Sequence, residues 1–552
     1  MFHLSNIFHL SKRIYSIPLS ELRGKTLDIS PYATPCKFRF VHCGQLLDDK
    51  VLAIHEVSEI PARASFSYAA ISYVWKGLPA HTNDEYGTFA IKGAEDGDLI
   101  SIDVLIHACT AAKRDYEVKH YHDSRGFNDG SSRYIWLDKL CMLQDKHDVK
   151  ARKDKPWQIR NMHQIYSKCT ICIVLPGGMR RLARVDEDTT WIERSWTFQE
   201  ATAQVNTFIL FHWTLGKLDM EAKDLKFRYE EVIPGQSAIC TLITALQCNS
   251  LGRHRGFPID RKRRERQISV NLLGRTNDPH VFALLAVTES LRGVTEALPD
   301  VKEDDVLNAY RQGVWRCSLM RTSSRPVDTV FSIMGMFGVT LDPDAFDEND
   351  RRGATIALAK ALLQTGQRAS WLAPFISLPP AKGLSAFPKF PDMHVARQAT
   401  LGKHPVAELL NAKEGWLNGV PLAQMDDDGY LTFSAPAAPL VREITAPGFV
   451  AVDGSRWRTH TAHERHYHLL ARTYLVQIGE MKPYPSVAFP QDLDKNRWRA
   501  LLVEENGDGT VYRRSYFILS HEQSRLVNAR ATPHTFRLGG DESRWWSRLL
   551  CC

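Results

Sequence analysis

Ten consecutive residues, Trp191-Ile192-Glu193-Arg194-Ser195-Trp196-Thr197-Phe198-Gln199-Glu200, hold the side-chain types most suited to chemistry in this chain. Rigid aromatics, a hydroxyl, an amide and a carboxylate fall within one expected helix, from Trp191 to about Ala201. Residues four apart share a helix face, so Trp196 and Glu200 sit together. A carboxylate fixed beside an indole can stabilise a developing positive charge and orient hydroxyl groups through charge-assisted hydrogen bonds. Glu200 is therefore the candidate catalytic residue, Trp196 would shape its pocket, and Ser195 directly precedes the indole. The plainer alternative makes Glu200 a half-exposed helix acid and Trp196 a core anchor.

Four further residues are candidates for the same mouth. Tyr73 and Trp75 offer ring faces for stacking. Asp138, at the end of an apolar strand, would hold a loop, cap a turn or contact a polar ligand group. Gln144 can donate or accept there.

These residues need elements to position them. Tyr68-Ala69-Ala70-Ile71-Ser72-Tyr73-Val74-Trp75 is rich in β-branched and aromatic residues and reads as a strand. Ile102 to Lys113 follows with apolar residues at helical spacing, then Tyr134-Ile135-Trp136-Leu137-Asp138 as a second strand. Lys155 to Lys168 reads as an amphipathic helix whose stripe is Ile159, Met162, Tyr166 and Cys169. Ile171 to Leu175 is a third strand, ended by Pro176-Gly177-Gly178. The helix bearing Glu200 and a fourth strand, Thr207 to Phe211, complete the run. Alternation of this kind implies a parallel sheet with right-handed crossovers, and such sheets bind ligands in the crevice at the strand ends.

The rest of the chain divides by composition. Residues 1–65 read as an N-terminal extension of short extended pieces, including Phe38-Arg39-Phe40-Val41. Residues 66–215 form the α/β block. Residues 216–375 read as mainly helical, interrupted by a basic linker at 253–267 that contains Arg261-Lys262-Arg263-Arg264. Residues 376–552 are proline-richer and read as β-rich, with Tyr430–Ser434 and Tyr474–Ile478 as strands and Asn506-Gly507-Asp508-Gly509 as a hairpin signal.

Bulk properties bound the function. The 552 residues are 44% hydrophobic and 24% charged, the balance of a folded protein. A formal charge of +7 is small for this length, and the basic run lacks interleaved aromatics, so nucleic acid is not the expected partner. No apolar run approaches the roughly 20 residues of a spanning helix. Eleven scattered cysteines read as reduced thiols of a cytoplasmic protein. There is no Walker phosphate loop, dinucleotide glycine fingerprint or nucleophile-elbow serine. Neither Cys169-x-x-Cys172 nor the histidines at 460, 463, 466 and 468 has a complete metal-ligand pattern, so no metal is expected. The terminal Cys551-Cys552 pair is a candidate lipidation site that would attach the chain to a membrane.

Three segments together resemble the fungal heterokaryon incompatibility (HET) domain. They are Tyr68 to Trp75; Trp136-Leu137-Asp138-Lys139-Leu140-Cys141-Met142-Leu143-Gln144 with Gln158-Ile159 and Met162 to Tyr166; and Arg194 to Glu200. The likeness spans roughly residues 66–212, and Arg321–Asp328 with Val330–Gly335 is similar to a segment that often trails this domain. Lys76 departs from the family pattern, in which glycine directly follows the tryptophan. HET domains are in turn distantly similar to TIR domains. The resemblance implies a flavodoxin- or TIR-like three-layer fold over the α/β block. It implies a role in fungal nonself recognition and regulated cell death, through a protein partner or self-association and with no required cofactor. The TIR likeness implies an alternative: hydrolysis of NAD+, as substrate, with Glu200 acting at the nicotinamide–ribose bond.

Overall fold

The computed structural model describes residues 11–61, 66–80, 85–115, 132–222, 225–258, 266–296, 302–393, 398–410, 415–443, 448–460, 473–484, 498–506 and 508–540. The basic run Arg261–Arg264, the histidines at 463, 466 and 468, Gly507 and the Cys551-Cys552 pair lie outside them. The chain divides into two compact units, Met1–Thr288 with Thr340–Asp347, and Glu289–Val339 with Glu348–Cys552.

The first unit is built on a nine-stranded sheet. Its strands in chain order are β1 (Lys12–Pro18), β2 (Phe38–His42), β3 (Val51–Val57), β4 (Tyr68–Tyr73), β5 (Tyr134–Trp136), β6 (Ile171–Leu175), β7 (Thr207–His212), β8 (Glu230–Ile233) and β9 (Ser237–Thr241). Across the sheet they run β1-β3-β2-β5-β4-β6-β7-β9-β8. The four strands expected from sequence lie side by side, and β4 pairs in parallel with both β5 and β6, as β7 does with β6. Every residue of β4, β5 and β6 is buried, which explains their continuous apolar runs.

The wholly parallel sheet read from sequence is corrected to a mixed one. β2 pairs antiparallel with β5, and β9 antiparallel with β7, so antiparallel strands flank the parallel core on both sides. The segment read as an N-terminal extension supplies three of these flanking strands. β1 shows the reason it was not recognised: only one of its seven residues is buried, a weak periodic signal.

Three helices connect the parallel strands: α1 (Ile102–Ala112), α2 (Val149–Lys168) and α3 (Ser195–Thr202). The step from β4 to β5 runs one way across the sheet, and the steps to β6 and β7 run the other. Right-handed crossovers then place α1 on one face and α2 with α3 on the opposite face. Side chains agree. Tyr68 and Ser72 share a face by strand alternation, and they reach the carbonyl of Ile165 on α2 and the carboxyl of Glu200 on α3.

Residues 216–270 are not mainly helical. Leu218–Ala222, Leu225–Phe227, Arg253–Pro258 and Arg266–Ser269 form a four-stranded antiparallel sheet. The expected basic linker thus opens as a strand, with Arg253 and Arg255 exposed and His254 and Gly256 buried in period two. Helices dominate only from Pro279 onward.

The second unit combines helices, chiefly Glu303–Met320, Asp328–Met334 and Arg351–Gln364, with the β-rich region expected from sequence. Five of its strands close a barrel: Leu431–Arg442, Thr473–Lys482, Trp498–Glu505, Val511–Leu519 and Thr532–Leu538. The first four pair in succession as an antiparallel meander. A helix, His521–Asn528, then carries the chain over so that the fifth strand meets the fourth in parallel and returns antiparallel to the first. Ala438, Leu475, Ala500, Leu502 and Phe517 are fully buried in this region's core.

Candidate functional site

The ends of β4 and β5 bring four of the expected site residues together around one carboxylate. Asp138 opens a one-turn helix, Asp138–Cys141, directly beyond β5. Its Oδ1 accepts from the Tyr73 hydroxyl at 2.5 Å and from the Lys139 backbone N–H at 2.6 Å. Its Oδ2 accepts from the Trp75 indole at 2.7 Å. Gln144 turns its amide back to donate to the Asp138 carbonyl at 2.8 Å. Burial, and then the neighbouring Asp138 charge, push the Tyr73 phenol well above its ordinary value, which keeps it a donor.

Backbone contacts tie the adjoining loops. The Nζ of Lys139 donates to the Asp98 carbonyl and lies 5.5 Å from the Trp75 ring centre. Asp98 in turn accepts from the Gly77 N–H at 2.7 Å, and its own N–H donates to the Trp75 carbonyl, also at 2.7 Å. Gly77 meets the loop after β6: a Cβ there would lie 2.1 Å from the Gly177 carbonyl oxygen. Close backbone approach is what demands glycine at this position. Lys76, the departure from the family pattern, is accommodated with Gly77 making that contact.

Glu200 occupies a second, more buried position on the α2–α3 face. It is only 8% exposed, so the half-exposed helix acid is excluded. Ser72 donates to its carboxyl at 2.7 Å and accepts from the Trp191 indole at 3.0 Å, a short relay from ring to hydroxyl to acid. Burial first, and repulsion from Asp138 second, push Glu200 up to about 8, against the opposing pull of Ser72, Arg194 and Tyr166. The two carboxyl groups are therefore electrostatic neighbours.

The helix bearing Glu200 is shorter than expected. Trp191–Glu193 forms a 3-10 turn, Arg194 is extended with φ −84° and ψ 139°, and α3 begins at Ser195. Thr197 holds the break by donating to the carbonyls of Trp191 and Arg194 at 2.7 and 2.8 Å. Trp196 and Glu200 keep their four-residue interval within α3. Trp196 is half-buried against the core, and neither it nor Ser195 hydrogen-bonds to Glu200 or Asp138. The Oγ of Ser195 and the Nε2 of Gln199 are buried without a partner.

Behind the Asp138 loop lies a buried ion pair that the sequence reading missed. Arg39, on β2, and Asp154, on α2, are both fully buried and bonded to each other. Arg39 also donates to the Cys141 carbonyl at 2.8 Å, and Asp154 accepts from the Leu143 N–H at 3.3 Å. The pair thus fixes the segment between Asp138 and Gln144.

Cys172 is buried in β6, with its thiol pushed well up by burial, and the Cys169 thiol donates to the Tyr166 carbonyl. Among the described residues no three His, Cys, Asp or Glu side chains come together as a metal site. No helix of these residues is long and apolar enough to cross a membrane.

Comparison with known proteins agrees with this part of the chain. Residues 68–187 match the profile of the heterokaryon incompatibility protein (HET) family. No curated protein and no solved structure matches the chain. The matched span contains Tyr73, Trp75, Asp138 and Gln144 and ends before α3. Over residues 68–187, from the strand that carries Tyr73 through the strand after α2, the chain carries a HET domain.

Proposed function

We propose that the chain acts as a cytoplasmic signalling protein in heterokaryon incompatibility, serving nonself recognition and regulated cell death by associating with a protein partner or with itself. The observation that carries this reading is the saturation of Asp138. Three donors occupy its carboxylate, and its carbonyl holds Gln144, so the most site-like cluster within the HET domain braces loops. A braced set of loops is a rigid platform for a partner surface. The test expresses wild type and Glu200→Gln in parallel in fungal cells. Cell death and partner co-purification equal in the two support the reading; loss of death with association intact removes it.

A second reading, NAD+ hydrolysis, has its own support. Glu200 is a buried acid with a strongly raised pKa beside a second carboxyl group, a combination that clusters at functional sites. The parallel strands follow the order second-first-third-fourth, as in flavodoxin-type sheets. In this reaction water adds to the ribose anomeric carbon as the bond to nicotinamide breaks. Nicotinamide leaves neutral with the bonding pair, and the water releases a proton. Glu200 as carboxylate would stabilise the oxocarbenium-like centre between these events. Turnover would then rise with pH through about 8 as Glu200 ionises, and Glu200→Gln would abolish it. Nicotinamide release by purified, clustered protein measures this; a toxic, assembled sample without turnover rejects it.

A further inference from the structure

The second unit contains buried cationic chemistry that its described residues leave unsatisfied. Arg513, on the fourth barrel strand, is 3% exposed. Its Nε donates to the Ser385 carbonyl at 3.2 Å and its Nη1 to the Phe375 carbonyl at 2.9 Å, while Nη2 is buried with no partner. Among the described residues, the groups acting on its charge, besides burial, are the phenols of Tyr512 and Tyr516, with no carboxylate among them. Burial pushes this guanidinium down to about 10, which still leaves it charged near neutral pH.

A buried charge without a counter-charge costs several kcal/mol, so native proteins pair such groups. Arg39 in the first unit obeys that rule through Asp154. Arg513 breaks it, in company with other stranded donors. Trp371 precedes the one-turn helix Leu372–Phe375, whose last carbonyl Arg513 caps, and its indole Nε1 is buried without a partner. Trp315 packs on both Trp371 and Phe375, with ring centres 6.1 and 5.7 Å apart, and its Nε1 is also unpaired. The nearby Oε1 of Gln367, whose amide reaches the Phe337 carbonyl beside Trp315, is one unpaired acceptor. Pairing it with either indole still leaves one indole and the charged donor unmet.

We propose that this half of the chain binds a small oxyanion of sulfate or phosphate type, held by Nη2 of Arg513 and the indole Nε1 of Trp371, within the aromatic wall of Trp315, Phe375 and Phe387, the last of which stacks on Trp371 with ring centres 6.1 Å apart. The anion supplies the missing charge and the missing acceptors together, which a water molecule does not. Guanidinium and indole N–H groups suit an oxygen anion stripped of water, because both donate and neither accepts.

The test uses the full chain in a chloride buffer, titrated with sodium sulfate or inorganic phosphate at constant ionic strength and followed by calorimetry. One site per chain is expected. Arg513→Met should weaken binding on the order of 100-fold, as loss of a charge-assisted contact implies. Trp371→Phe, which keeps a ring and removes only the donor, should weaken it about tenfold. Arg351→Met is the control. Arg351 is equally buried but lies 4.7 Å from the Phe390 ring, and binding should survive its loss. No heat beyond chloride for either anion would overturn the proposal, and so would wild-type affinity in a folded Trp371→Phe protein. A water-filled site would show itself as the first of these outcomes.

Discussion

Asp154 and Glu200 are both buried acids on neighbouring helices of the same face, and the molecule treats them in opposite ways. Asp154 meets a buried guanidinium and also accepts the Cys36 N–H at 2.9 Å. Glu200 meets a serine hydroxyl and the repulsion of Asp138, and its neutral form is favoured near pH 7. The first acid is matched for structure. The second is held in a state that a nearby positive charge would change.

Breaking the matched pair should have the largest effect. Asp154→Asn leaves the buried Arg39 with Glu56, 3.6 Å away, as its remaining carboxylate partner, at a cost of about 3–5 kcal/mol for the lost buried bond. Urea unfolding measures it, and a loss below about 1 kcal/mol would falsify the structural role given to the pair.

Glu200→Gln should act in the opposite direction. The folded pKa, about 8, lies above the ordinary 4.5, so the folded state binds a proton that the unfolded chain has released. Stability contributed by that proton is complete below about pH 4.5 and is lost as pH rises through 8. The loss is on the order of 4 kcal/mol at pH 9. Glu200→Gln should therefore lack this decline and exceed wild type in alkaline buffer. Parallel pH–stability curves for the two proteins would contradict the assignment.

Gly77→Ala places a methyl group 2.1 Å from the Gly177 carbonyl oxygen and should cost about 2–3 kcal/mol as the two loops part. A melting temperature unchanged from wild type would mean that the loops yield freely. The smallest effect sharpens the comparison most. Asp138→Asn removes a repelling charge, so the Glu200 titration should move to lower pH, read by carbon NMR of the carboxyl group. A midpoint that stays at its wild-type position would show that burial alone sets it.

How far the sequence revealed this site depended on how local each signal was. β4, β5, β6 and β7 were legible because buried parallel strands are short apolar runs. The gathering of Tyr73, Trp75 and Asp138 followed from their places at strand ends, whereas Gln144 lies past the helix Asp138–Cys141 and folds back to Asp138. β1 to β3 joined the sheet through antiparallel pairing at long range, which no short window shows. In α2 the buried stripe contains Asp154 and Gln158, both fully buried, whereas Ile159 is half-exposed. Polar residues that pair with distant partners thus occupy positions that an apolar count leaves out. Ser72 was within reach, since strand alternation sets it on the face of Tyr68. Its partner Glu200 is 128 residues away, and that contact belongs to tertiary structure.

The closing of the barrel by its outermost strands also sets an order of events at the ribosome. Leu431 to Ala437 align residue by residue with Leu538 to Thr532. The opening strand is therefore synthesised about a hundred residues before its partner exists, and it must wait with one edge bare. Unpaired edges of that kind invite association with other chains. A chain that ends before Thr532 would carry that exposed edge permanently.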